Sequence, residues 1–173
     1  MINFKKIKKG FALLYAMLIS SLVLSISMGV FNVAMRYYML ESANRESQYA
    51  FYAADSAAEC MYYWDARWQN SSTLKESPFA ELDSTYLNNP LPDNTALCSG
   101  QDLKGIISYD TADSSKVVSA FTLIYPDDRK AIVEVTKTGS GADLMKEFAI
   151  YGFNRTDDTD PRVVQRMIWG NFQ

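Results

Sequence analysis

Few residues in this chain of 173 could carry chemistry. There is no histidine, which removes Ser-His-Asp and Cys-His catalysis and the commonest ligand for zinc and haem. Two cysteines remain, Cys60 and Cys98. In a small exported domain such a pair reads as a disulfide rather than a metal site; the other reading is two buried free thiols. Asp157, Asp158 and Asp160 crowd one stretch, and calcium favours flexible carboxylate loops. Their spacing fits no EF-hand and a solvated charge run is commoner, so they stand as weak calcium candidates. Asp110 and Asp113 repeat the idea more thinly. Gly139-Ser140-Gly141 lacks the spacing of a phosphate loop and reads as a turn. Asn70-Ser71-Ser72 and Asn154-Arg155-Thr156 match the glycosylation acceptor pattern, which recurs by chance. The carboxylates form no acid–base pair, so neither an enzyme nor a resident cofactor is expected.

The elements that carry these residues begin with the N-terminus. The net charge is −3, but Lys5, Lys6, Lys8 and Lys9 place +4 in the first ten residues, leaving about −7 (−3 less +4) for the rest. An acidic remainder argues against nucleic acid as a partner, because phosphates call for clustered Lys and Arg. Residues 11 to 35 carry no charge. As a helix they would span about 37 Å, enough for a bilayer core and too long for a signal-peptide apolar region. The lysines should stay cytoplasmic and send the C-terminal part outward, with Arg36, Tyr37 and Tyr38 as an interfacial anchor. Ser20, Ser21, Ser25, Ser27, Gly29 and Asn32 interrupt the apolar run. Small and weakly polar residues of this kind let helices approach and bond across their contacts, although a plain single-pass anchor tolerates them too.

No glycine or proline occurs between Gly29 and Pro78. Ala43, Ala50, Ala54, Ala57, Met61, Trp64 and Trp68 recur at helical steps as one apolar stripe. The spacing predicts one helix from Phe11 to Gln69, roughly 88 Å long, ended by Asn70-Ser71-Ser72-Thr73. Residues 70–102 read as a loop broken by Pro78, Pro90 and Pro92. Strands are expected at 105–109, 116–125, 130–138, 146–153 and 163–169, rich in Val, Ile, Phe, Tyr and Thr, with turns at Pro126-Asp127-Asp128 and Gly139-Ser140-Gly141. Alternation in Val133-Glu134-Val135-Thr136 leaves one sheet face wet. The fold class is α+β: one long N-terminal helix, half transmembrane and half amphipathic, packed on a four- to five-stranded antiparallel sheet. The expected divisions are 1–10 (basic leader), 11–36 (transmembrane half), 37–69 (amphipathic half), 70–102 (loop) and 103–173 (sheet). A Cys60–Cys98 bond would tie the loop to the helix.

Two motifs carry a resemblance. The leader ending Lys8-Lys9-Gly10, followed by Phe11-Ala12-Leu13-Leu14, resembles the prepilin peptidase site of type IV pilins and type II secretion pseudopilins. The run from Asn44-Arg45-Glu46-Ser47-Gln48 through Ala58-Glu59 is similar to the segment after the membrane span in PilX-type minor pilins and tip-type pseudopilins. Together they cover about the first third of the chain. The resemblance implies a pilin-like fold, cleavage between Gly10 and Phe11, and an N-methylated Phe11. It implies single-pass insertion in the inner membrane, then filament assembly with other pilins or pseudopilins through a prepilin peptidase and an assembly platform. One position departs from the pattern: most members carry glutamate at the fifth mature residue, where it pairs with a neighbour's N-terminal ammonium, and here Tyr15 stands. The departure suits an initiating or low-abundance subunit of a pilus or pseudopilus. The alternatives are a signal-anchored extracytoplasmic binding domain outside any filament, and an adhesin on a pilin stem presenting exposed aromatics from 70–102.

Overall fold

The structure is a computed structural model that describes residues 9–139 and 144–172, with side chains from 11 to 171 within them. Helix α1 runs Lys9–Arg67 and passes into a 3-10 turn at Trp68–Asn70. A two-stranded hairpin follows, β1 (Leu97–Cys98) with β2 (Gln101–Asp102), and then a single helical turn, α2 (Leu103–Ile106). The main sheet holds β3 (Ile107–Asp110), β4 (Lys116–Ile124), β5 (Lys130–Thr138), β6 (Met145–Phe153) and β7 (Gln165–Phe172). Its spatial order is the chain order, and every neighbouring pair is antiparallel. The chain divides into two compact units, one ending at Asn44 and one starting at Arg45.

In the second unit, alanines decide how closely helix and sheet meet. Ala50, Ala53, Ala54, Ala57 and Ala58 are buried, followed by Met61. Their short side chains bring the helix backbone down onto the sheet, where Gly152 of β6 receives it. A Cβ built on Gly152 would lie 2.0 Å from the Ala50 carbonyl oxygen and 2.6 Å from the Ala54 nitrogen. The buried Tyr125 hydroxyl donates to the Ala53 carbonyl (3.1 Å). The expected stripe holds from Ala50 onward, with Trp64 and Trp68 half-buried at its end. Ala43 is exposed; it belongs to the first unit, whose described residues contain no strand.

Strand parity follows the sequence. Val117, Ser119, Phe121 and Leu123 of β4 point inward, as do Ala131, Val133, Val135 and Lys137 of β5 and Phe148 and Ile150 of β6. The Pro126-Asp127-Asp128 turn forms, with Asp128 at φ 66° and Tyr125 N–H bonded to the Arg129 carbonyl (2.8 Å). The turn expected at 139–141 lies, from Ser140 on, outside the described residues.

Residues 70–102 form more than a connecting loop. Leu74, Phe79, Ala80, Tyr86, Leu91 and Ala96 are buried, and Phe79 stacks on Phe121 with centroids 5.9 Å apart. Cys60 and Cys98 form a disulfide, Cα atoms 5.8 Å apart, and Trp64 Nε1 donates to the Leu97 carbonyl (3.1 Å). The bond closes a separation of 38 residues, which contributes about 4 kcal/mol on the chain-entropy view. The β1–β2 hairpin is an addition to the expected strands. Ser99 and Gly100 both sit at positive φ (49° and 77°), the two-residue turn that suits strand twist. The first main strand starts at Ile107 rather than 105 because the Asp102 carboxylate caps α2, accepting from Lys104 N–H (3.1 Å).

The Gly152 contact is between backbones and neither can yield. Gly152→Ala is expected to cost about 3 kcal/mol, read as a shift in the urea midpoint with unchanged slope.

Candidate functional site

Among the described residues, the first unit is an apolar helix with nothing of its own to pack on. From Phe11 to Leu40 its large apolar side chains lie on every face and are about half to three-quarters exposed, Leu13, Leu18, Leu22, Leu24, Phe31 and Leu40 among them. Tyr37 and Tyr38 stand exposed beyond Arg36. This helix is long and apolar enough to cross a membrane. Its serines turn inward on their own backbone: Ser20 Oγ donates to the Ala16 carbonyl (2.7 Å), Ser21 to Leu18 (2.9 Å), Ser25 to Ser21 (2.9 Å) and Ser27 to Val23 (2.8 Å). The hydroxyl protons are thus satisfied without a partner helix, as an apolar solvent requires. Gly29 leaves a bare notch: a Cβ placed there would meet nothing within 4 Å.

Among the residues singled out by sequence, Lys5, Lys6 and Lys8 lie outside the described residues. Lys9 and Gly10 open α1 as backbone, so the Gly10–Phe11 junction falls in its first turn. Tyr15, at the position of the missing glutamate, is exposed and packs against Phe11 one turn earlier, ring centroids 6.0 Å apart. The candidate calcium carboxylates are engaged elsewhere. Asp158 takes both Lys130 hydrogen bonds at 2.6 Å. Asp160 pairs with Arg162 (3.2 Å) and Arg155 (3.3 Å). Asp157 accepts from the Thr159 hydroxyl and N–H, bonds that hold its carboxyl below the ordinary value. Among the described residues no group of three or more acidic or sulfur ligands is placed to hold a metal ion. Of the acceptor motifs, Asn70 is exposed, while Asn154 is buried with its amide donating to Glu46 (2.7 Å) and the Arg162 carbonyl (3.0 Å).

Sequence reasoning misses a cluster of buried charges where the end of α1 meets the sheet. Asp65 and Lys137 have side chains 5% and 1% exposed, and Lys137 Nζ lies 3.0 Å from Asp65 Oδ1. Lys146 Nζ donates to Asp65 Oδ2 (2.8 Å) and Ser77 Oγ to Oδ1 (2.7 Å). Glu81 stands 3.6 Å from Lys137 Nζ. Burial pushes the Asp65 carboxyl up, but the Lys137 charge and the bonds from Lys146 and Ser77 outweigh it and hold it below the ordinary value. Parity and periodicity are the signals that could find the cluster. Lys137 continues the inward series Ala131, Val133, Val135, and Asp65 follows Met61 by one turn on the buried stripe.

No protein-family model matches the chain, and neither a curated protein nor a solved structure gives a match. The pilin-like reading therefore stands on the motifs quoted above and on a fold compatible with it.

Asp65→Ala would leave Lys137 buried without its nearest countercharge. A loss of about 3–5 kcal/mol is expected, measurable by chemical denaturation of the full chain.

Proposed function

We propose that the chain is a type IV pilin-like filament subunit, a minor pilin or pseudopilin, that acts in pilus or pseudopilus assembly as an initiating or tip subunit. The observation that carries this reading is the division of α1. One part is apolar on all faces and has nothing within its own unit to pack against among the described residues, while the rest buries a narrow alanine stripe under a sheet. An exposed apolar helix of that size must be covered by lipid or by other helices. The self-bonded serines and the Gly29 notch suit both, so the same helix can reside in a bilayer and then pack in a bundle. The mechanism is assembly, not catalysis: the leader is cut after Gly10, Phe11 becomes the methylated N-terminus, and the sheet unit stays extracytoplasmic. Partners are the inner membrane, other pilins or pseudopilins, the prepilin peptidase and the assembly platform. Tyr15 and Phe11 present an aromatic pair where a carboxylate would recruit an earlier neighbour, which supports a subunit that starts a filament.

The second reading is a signal-anchored extracytoplasmic binding or adhesion domain outside any filament, since a plain anchor also explains an unpartnered apolar helix. The adhesin variant needs exposed aromatics in the 70–102 segment. Phe79 and Tyr86, its aromatics, are both buried, so that segment offers no such surface.

Peptidase processing requires a small residue before the cut. Gly10→Val should abolish the mature form beginning at methylated Phe11, as read by intact-mass and N-terminal peptide analysis of native membranes and sheared filaments. A wild-type chain that keeps Met1 and is missing from filaments would instead support the anchored domain. Immunogold labelling should find the protein sparse and terminal; dense labelling along the shaft would overturn the initiating role.

A further inference from the structure

We propose that Lys137 and Asp65 condense into a side-chain amide, an autocatalytic cross-link between β5 and α1. The filament reading does not enter this inference, which stands on the geometry of the buried cluster. Lys137 Nζ is 3.0 Å from Asp65 Oδ1, near enough to react. The flanking groups sort by role. Lys146 holds the other oxygen, Oδ2, at 2.8 Å. It is placed to stabilise the charge that gathers there when nitrogen attacks the carboxyl carbon. Glu81 lies 3.6 Å from Lys137 Nζ, so it relays a proton once it closes by about half an ångström or through one water. Ser77 Oγ, 2.7 Å from Oδ1, steadies the oxygen that departs.

The step balances without a co-reactant. The Lys137 ammonium gives a proton to Glu81, and Nζ forms a bond to Asp65 Cγ. The Cγ–Oδ1 bond breaks as Oδ1 takes the proton held by Glu81 and a second one from nitrogen, and it leaves as water. An ammonium and a carboxylate become a neutral amide and one water, with no change of oxidation state. Glu81 and Lys146 remain, so the cluster is neutral before and after. In bulk water the ionic pair would be preferred. Here both charges are held out of water at a desolvation cost that the amide removes, and the fold fixes the reactants in contact. A cavity of about 210 Å³ bordered by Ser77, Glu81 and Trp68 gives the released water an exit. Lys137 is the reacting amine rather than Lys146, which is 21% exposed and hydrogen-bonded to Oδ2.

The test is peptide mass spectrometry of the full chain from native membranes, reduced, denatured and digested with trypsin. The expected result is that Lys137 resists cleavage and that its peptide is joined to the one holding Asp65, at the summed mass less one water. Glu81→Gln should slow the joining by about 100-fold, followed as the fraction joined over time after expression. Cleavage after Lys137 with both peptides free at full mass would overturn the proposal, as would a join at Lys146. Joining at the wild-type rate in Glu81→Gln would overturn the relay. Asp65→Ala and Lys137→Met provide the unjoined references.

Discussion

The contact that the rest of this structure depends on is backbone against backbone: α1 lies on β6 where Ala50 and Ala54 meet Gly152. Dispersion and apolar burial reward close approach only if no side chain stands between. Alanine on one side and glycine on the other remove that obstacle. Once the helix is seated there, Met61 and the half-buried Trp64 and Trp68 reach the sheet margin. Cys60 is bonded to Cys98, and Leu74, Phe79, Tyr86, Leu91 and Ala96 of the 70–102 segment join the core.

That seating also explains the buried charges. A helix that descends so closely carries its next inward position, Asp65, into the core beside Lys137 of β5 and Lys146 of β6. Neither partner could be tolerated alone, since an isolated ion out of water costs several kcal/mol. Together with Ser77 and Glu81 they make a neutral cluster of ion pairs and hydrogen bonds that binds helix, loop and sheet. Ser77 belongs to the 70–102 segment, so the cluster and the disulfide fasten that segment at separate points.

Ahead of Arg45 the same helix has no sheet of its own, and its chemistry changes accordingly. Leucine, isoleucine and phenylalanine replace the alanine stripe, and they occupy all faces rather than one. A continuous helix thus carries two kinds of surface. One is complementary to the chain's own sheet; the other belongs to a stretch long and apolar enough to cross a membrane. Ser20, Ser21, Ser25 and Ser27 suit an apolar surface because each donates its proton to a carbonyl of its own helix.

Much of this was legible in the sequence. A charge-free run after four lysines, an alanine stripe at helical spacing and strands of alternating parity are local patterns, and local sterics and hydropathy suffice to read them. The long helix, the five strands and their antiparallel order follow, because short turns leave neighbouring strands little choice. The tertiary structure decided what depends on distant residues meeting. It buried the aromatics of the 70–102 segment, enlisted the aspartates at 157–160 in hydrogen bonds and ion pairs, and placed Asp65, Lys137 and Lys146 together; the Cys60–Cys98 bond forms as the chain's two cysteines led one to expect. Periodicity marks Asp65 and Lys137 each as inward-facing on its own element, but no local pattern encodes that the two will meet. That is settled only when helix and sheet come to rest against each other.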